Sequence, residues 1–242
     1  MAEFIKEEQI RTALLLGTAA MERLSSAKVA VFGVGGVGGH LCEALARAGV
    51  GEIHLYDSDA VSPSNINRQV VALHSTVGRQ KTEVMRERIL DINPDCKVCV
   101  FNVFYLPENA DEYPLDGYDY IADAIDTVSA KIELAVRAQK ANIPILSAMG
   151  AGNRTDPTRF AVTDLFSTSG CPLARTMRRE LRSRGVTKLK VVFSDEPTVA
   201  PPVDRPTVEA DGKKAPIGSL PFVPSVVGLI MAREIVFDLI HK

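Results

Sequence analysis

The sequence predicts an α/β fold built on a doubly wound, mostly parallel sheet. Three observations lead there. Short apolar runs alternate with helix-length amphipathic segments over the first 150 residues, a glycine cluster joins the first run to the first long helix, and acidic residues close several of the runs. Crossovers in such a sheet are right-handed and lay helices on both faces.

In chain order, residues 4–24 read as a helix with Ile10, Leu14 and Leu15 on one face. Residues 28–32 form the first strand, and the helix after the glycines ends near Ala48, where Gly49 and Gly51 turn the chain into the second strand, 52–56. A polar loop over 58–68 precedes a helix from Gly78 to Ile92 with Val77, Val84, Ile89 and Ile92 mostly inward. Strands follow at 96–103, 118–126 and 143–150, with a helix over 129–142 between the last two. Beyond 151 the alternation weakens. Residues 158–166 and 189–194 look like strands, and 172–185 like a helix with Pro172 in its first turn and Gly185 at its end. Residues 196–218, rich in proline, glycine and charge, read as a mobile loop, and 222–241 as a final apolar helix.

Composition sets the outer limits. The 242 residues suffice for one large α/β domain with a well-buried core. A net charge of −2 makes no global demand for a polyanionic partner, although local charge can still supply one. The charged opening "MAEFIKEEQIR" lacks the apolar centre of a secretory signal, so a cytoplasmic location with reduced cysteines is expected. The run "VVGLIMA" is too short to insert in a membrane.

Ligands of doubly wound sheets bind beyond the C-terminal strand ends, which directs attention to Gly33–Gly38, Asp57, Asp59, Asp123, Asp126 and Gly150. Gly33, Gly35 and Gly38 fit G-x-G-x-x-G, with Gly36 between them, in a Rossmann-like strand–turn–helix. Such a turn brings backbone N–H groups and a helix N-terminus to an anion. Asp57, 19 residues after Gly38, is placed to accept ribose hydroxyls. These features fit a nicotinamide, a flavin or ATP equally. The rest of the chain separates them. A dehydrogenase needs a proton-transfer residue, and of His40, His54, His74 and His241 only His74 stays open for that part. The chain instead offers Ser64, Asn65, Asn67, Arg68 and Gln69 just after the ribose acid, Lys81 at the next helix start, and Asp126 with Thr127 after the fourth strand. That is an array for polyphosphate and Mg²⁺.

Together "GVGGVG", "DSDAVSPSNINRQ", "GRQKTEVMRERILDINP" and "DAIDT" resemble the adenylating enzymes related to ubiquitin-activating enzymes. The resemblance covers residues 9–150 motif by motif, and "GSLPFVPSVVGLIMAREIV" is similar to the family's closing segment. It implies one adenylating domain over 1–242, with a nucleotide-binding core over about 25–150 and a substrate-facing part over about 151–242. It further implies that Gly33–Gly38 cradle ATP, Asp57 binds ribose, Asn65, Arg68 and Lys81 contact phosphates, and Asp126 holds Mg²⁺. Arg11 matches an arginine that reaches the ATP of a partner subunit, so a homodimer is expected, with the apolar C-terminal helix supplying part of its surface. The implied reaction is attack of a carboxylate oxygen on the α-phosphate, with pyrophosphate leaving. Intact Arg68, Lys81 and Asp126 argue against a non-catalytic scaffold.

Members that activate ubiquitin-like proteins often carry zinc in two Cys-x-x-Cys pairs. This chain has one, Cys96 and Cys99, on a predicted strand whose i and i+3 positions face opposite ways, so no zinc site is expected. "RTALLLGTAAMERL", "NINRQ", "CPLARTMRRELRSRGV" and "VVFSDEP" resemble the zinc-free branch, the tRNA threonylcarbamoyladenosine dehydratases. That likeness implies the threonyl carboxylate of a modified adenosine at position 37 of tRNA as substrate, with ring closure and AMP release after adenylation. The alternative is the C-terminal Gly-Gly of a small ubiquitin-like sulfur carrier, and an assisting sulfur-relay protein also stays open. Residues 175–190 hold seven basic residues, Arg175, Arg178, Arg179, Arg182, Arg184, Lys188 and Lys190, against Glu180 alone. This is either a grip for tRNA phosphates or a solvated face. Cys171, before the predicted helix start at Pro172, is either a thiol with a lowered pKa or a packing residue.

Overall fold

A computed structural model describes residues 5–200, 202, 204 and 217–241. Its centre is a seven-stranded sheet in the order β3-β2-β1-β4-β5-β7-β6. The strands are β1 (Lys28–Phe32), β2 (Glu52–Tyr56), β3 (Lys97–Phe101), β4 (Tyr120–Asp123), β5 (Ile145–Ala148), β6 (Phe160–Asp164) and β7 (Lys190–Ser194). All pairings are parallel except β6 with β7, where Val162 lies opposite Val192. The central strands are buried on both faces, which is why they read as continuous apolar runs rather than as alternating ones.

Helices α1 (Ile10–Leu16), α2 (Thr18–Ser26), α3 (Gly38–Ala48), α4 (Lys81–Ile92), α5 (Val128–Ala141), α6 (Pro172–Arg182) and α7 (Phe222–Ile240) complete the frame. Residues of α2, α3, α4 and α7 share the largest core cluster, with Leu24, Leu41, Met85 and Ile235 fully sealed. The opposite face carries α5 and α6 over Met149, Met177 and Val191, and an aromatic layer in which Tyr56 stacks between Phe32 and Phe101 at 4.2 and 4.4 Å.

Four expectations need revision. The N-terminal helix is broken at Gly17, and the leucines grouped on its face, Leu14 and Leu15, are 80% and 87% exposed because α1 contributes no buried residue. Val77 lies on the surface, since α4 begins only at Lys81. Most of the apolar face of α7 is spent inside the chain: it packs on α3, and only Phe222 and Leu229 remain among its exposed large apolar side chains. The segment read as a mobile loop, 196–218, is partly ordered. Val199 N–H donates to Asn153 O and Gly218 N–H to Asn153 Oδ1, both at 2.8 Å, while 201, 203 and 205–216 lie outside the described residues. Among the described residues no helix is long and apolar enough to cross a membrane.

Candidate active site

A cavity of about 630 Å³ opens beyond the C-terminal ends of β2, β1, β4 and β5, where the strand order reverses direction. That size suits a nucleotide-like ligand. The glycine loop forms its floor. A Cβ on Gly38 would stand 1.7 Å from Gly33 O, so Gly38 is there for the close approach of α3 to the loop and is absent from the cavity wall. Gly33 (φ +91°), Gly35 and Gly36 do line the wall; the Gly33 N–H is taken by Tyr56 O at 2.8 Å, so an anion would meet the loop at Gly35 and Gly36.

Asp57 follows β2 and is anchored by the loop it faces. Val34 N–H donates to its Oδ2 at 2.7 Å and Asp59 N–H to its Oδ1 at 2.8 Å. Burial lifts its carboxyl above the usual range, against the opposing pull of the Lys81 ammonium. Lys81 is buried at the start of α4 and reaches Asp59 Oδ2 at 2.7 Å. Arg68 lines the cavity, and its Nη1 donates to Ser64 O at 3.0 Å and Asn67 Oδ1 at 2.8 Å. Asn65 is buried behind it: its Oδ1 accepts from Ser62 N–H, and its carbonyl accepts from the N–H groups of Arg68 and Gln69. Asn67 donates to Ser219 O at 3.0 Å and ties this loop to the segment before α7. Ser64, Asn65 and Asn67 are therefore placed as supports for Arg68 rather than as cavity wall.

Asp126 is exposed on the wall, with Thr127 behind it as the N-cap residue of α5. Arg11 is exposed on α1 and is not part of this chain's own cavity. Cys171 is buried in the apolar cluster with Met149 and Met177, as the packing reading expects, and it also lines the cavity. The basic segment divides. Arg179 and Arg184 each pair with Glu180 at 2.9 Å, Arg178 donates to Thr168 Oγ1, and Arg182 lies 5.3 Å over the Phe166 ring. Lys190 leaves the set, because on β7 it is held by Glu234 at 2.9 Å and Asp238 at 2.7 Å. Arg175 and Lys188 are exposed.

Sequence reasoning missed the turn after β3, where Val103, Phe104 and Tyr105 line the cavity, and the turn after β5 that ends at Arg154. Gln69, the last letter of "NINRQ" and part of the polar array expected after the ribose acid, does line the cavity. Three buried polar atoms on these wall residues, Gln69 Oε1, Tyr105 OH and Arg154 Nη1, have no hydrogen-bond partner among the described residues. A strand-end position was the available signal for 103–105. For Arg154 there was none.

Outside the cavity, the ligand atoms of Glu52, His54 and Cys99 gather within 4.8 Å. That Glu52 carboxylate already meets His54 Nε2 at 2.6 Å and the ammonium groups of Lys97 and Lys28 at 3.2 and 3.4 Å. Cys96 instead packs into the main core, where burial pushes its thiol up to about 12.

The family model described as the ThiF family matches residues 7–241. The chain belongs to the ThiF family. Among relatives of this ThiF chain, a tRNA threonylcarbamoyladenosine dehydratase of Bacillus subtilis is 46% identical over 240 residues, covering 95% of this chain and 93% of that protein. The Escherichia coli tRNA threonylcarbamoyladenosine dehydratase is 43% identical over 201 residues, 80% of this chain and 75% of that one. A crystal structure of the E. coli enzyme in complex with ATP superposes with a TM-score of 0.89 at 37% identity, over 98% of this chain and 97% of that one. The expected fold and family are both borne out.

Proposed function

We propose that this ThiF-family protein uses ATP to adenylate the threonyl carboxylate of threonylcarbamoyladenosine in tRNA, then closes the ring with loss of AMP. The observation that carries the reading is the near full-length likeness to dehydratases of that name. The cavity supports it with one acid for ribose, a glycine loop, two cations on the 59–81 side and two exposed acids, Asp59 and Asp126.

A carboxylate oxygen attacks the α-phosphorus and pyrophosphate leaves. The carbamoyl group of the same nucleoside then attacks the acyl carbon, loses a proton and expels AMP, so the departing oxygen ends on AMP. Asp57 accepts ribose hydroxyls, while Arg68 and Lys81 take the charge that gathers on the polyphosphate. Asp126, an exposed hard-oxygen donor on the wall, fits a Mg²⁺ ion with Thr127 behind it. When bound, that ion would offset phosphate charge. Arg11 on the exposed α1 suits a contribution across a two-fold homodimer interface, to which Leu14 and Leu15 would add apolar area. A cytoplasmic setting accords with a tRNA substrate.

The test is ATP–pyrophosphate exchange with Mg²⁺, with and without tRNA carrying threonylcarbamoyladenosine, followed by mass analysis of the digested nucleosides. Exchange that depends on this tRNA, with loss of one water from the nucleoside, is the expected result. Exchange independent of tRNA would move the carboxylate to another substrate. Asp126→Ala should abolish exchange, and near-normal exchange in that variant would remove its Mg²⁺ assignment.

A further inference from the structure

Arg154 ends the turn that follows β5 and is 3% exposed. Its Nε donates to Gly150 O at 3.1 Å, but its Nη1 is buried with no partner among the described residues. A buried guanidinium left short of an acceptor is costly, and the structure tolerates it at the wall of the cavity, where a ligand oxygen can meet it. The nearby acid does not answer the need. Glu196 lies near enough to feel the charge of Arg154, but its oxygens are engaged by the next residues of Arg154's own turn, accepting from Thr155 N–H at 3.0 Å, Thr155 Oγ1 at 2.9 Å and Asp156 N–H at 3.3 Å, and leave Nη1 without an acceptor. The turn itself is clamped, since Asn153 N–H donates to Gly218 O and Asn153 Oδ1 accepts from Gly218 N–H, both at 2.8 Å.

Position says which oxygen Arg154 awaits. The ribose acid stands after β2, the phosphate loop after β1, Asp126 after β4 and Arg154 after β5. With about 4.8 Å between neighbouring strands, the β5 end is roughly 14 Å from the β2 end. The polyphosphate cations Arg68 and Lys81 come from the 59–81 segment, on the β2 side. Arg154 stands on the other flank, from which the acid to be activated must approach the α-phosphorus.

We infer that Arg154 recognises the free carboxylate of the substrate, its Nη1 donating to one oxygen while the other is left to attack, and so makes the site selective for an acid over an amide. The inference rests on the adenylation reading above.

The test compares two anticodon stem-loop RNAs, one with threonylcarbamoyladenosine and one with its carboxamide, binding to wild-type protein, Arg154→Gln and Arg154→Lys. ATP affinity is measured alongside. A hydrogen bond to a charged group predicts that wild-type protein prefers the carboxylate by about tenfold or more. Arg154→Gln should bind both RNAs alike with ATP affinity unchanged. Arg154→Lys keeps the charge beside Glu196 and should show reduced discrimination, and it carries the test if the glutamine variant does not fold. Discrimination retained in a folded variant, or ATP affinity falling in step with RNA affinity, would overturn the inference alone. A wild-type protein that adenylates nothing on the modified RNA would overturn the substrate reading and the inference with it.

Discussion

Lys131 Nζ lies 2.8 Å from Asp123 Oδ2, and both side chains are sealed from solvent. The pair belongs to a wider knot. Lys131 also donates to Ile125 O at 3.2 Å, Ile125 N–H donates to Asp123 Oδ1 at 3.3 Å, and Ser147 Oγ donates to Asp123 Oδ2. These bonds fix the turn that presents Asp126 to the cavity. Lys131→Met would leave Asp123 as an uncompensated buried charge, a loss of about 3–5 kcal/mol. The double variant Asp123→Asn with Lys131→Met should recover most of that. Denaturant midpoints of the single and double variants check the prediction, and equal midpoints would contradict it.

The glycines of the loop separate by the same geometric reasoning. An alanine Cβ at Gly38 would meet the Gly33 carbonyl oxygen at 1.7 Å, and backbone must move to make room. At Gly36 the nearest atoms are Cβ and Cγ of Pro224 at 3.2 Å, a contact that a small shift of α7 relieves. Gly38→Ala is therefore expected to lose the fold or most of its solubility. Gly36→Ala should fold and weaken ATP binding, since the new methyl group stands on the cavity floor. Circular dichroism and ATP titration of the two proteins distinguish the cases.

The sheet was legible because its central strands are buried on both faces and its crossovers are amphipathic. Asp57, Arg68, Lys81 and Asp126 were legible because motif spacing on a parallel sheet fixes which strand end each residue follows. The remainder depends on non-local packing. Leu14 and Leu15 carry a helix-like apolar spacing, but within this chain α1 has nothing to bury them against. Lys190 shares a sequence neighbourhood with the arginines of α6, yet its strand turns it toward Glu234 and Asp238, more than forty residues away. Arg154 is one arginine in a Gly-Asn-Arg turn, and its burial beside Asn153, which is bound to Gly218 65 residues away, follows from packing that the local sequence does not carry.

Glu196 gives the fold a pH dependence of known sign. Burial opposes its ionisation, but the Thr155 and Asp156 amides, the Thr155 hydroxyl and the charge of Arg154 together hold its carboxyl below the ordinary range. Its stabilisation is thus full above the unfolded-state value, about 4.3, and is lost as pH falls from there through the folded-state value. Glu196→Gln should cost about 1–2 kcal/mol at neutral pH through weakened hydrogen bonds to the 154–156 turn. The gap between wild type and variant should close in acid. A gap in melting temperature that stays constant from neutral to acidic pH would exclude this role.

The basic segment 175–190 can be tested residue by residue, because the structure sorts its charges. The first residues of α6, Pro172 and Leu173, line the cavity, so RNA docked along α6 would deliver a nucleoside to the β5 side of the site. Arg179 and Arg184 are partly neutralised by Glu180, and Lys190 is held by two carboxylates. Arg175 and Lys188 are exposed, so their charge reversal should weaken tRNA binding most. Two lost phosphate contacts would flatten the dependence of log affinity on log salt by roughly 2. Lys190→Met should behave in the opposite manner, lowering the unfolding midpoint with tRNA affinity intact, because its loss leaves Glu234 and Asp238 facing each other near Tyr120. Filter binding over a salt series, with each variant's melting temperature recorded in parallel, reads both effects. Equal loss of tRNA affinity in Lys190→Met and in Arg175→Glu would show that the segment contributes only to the fold.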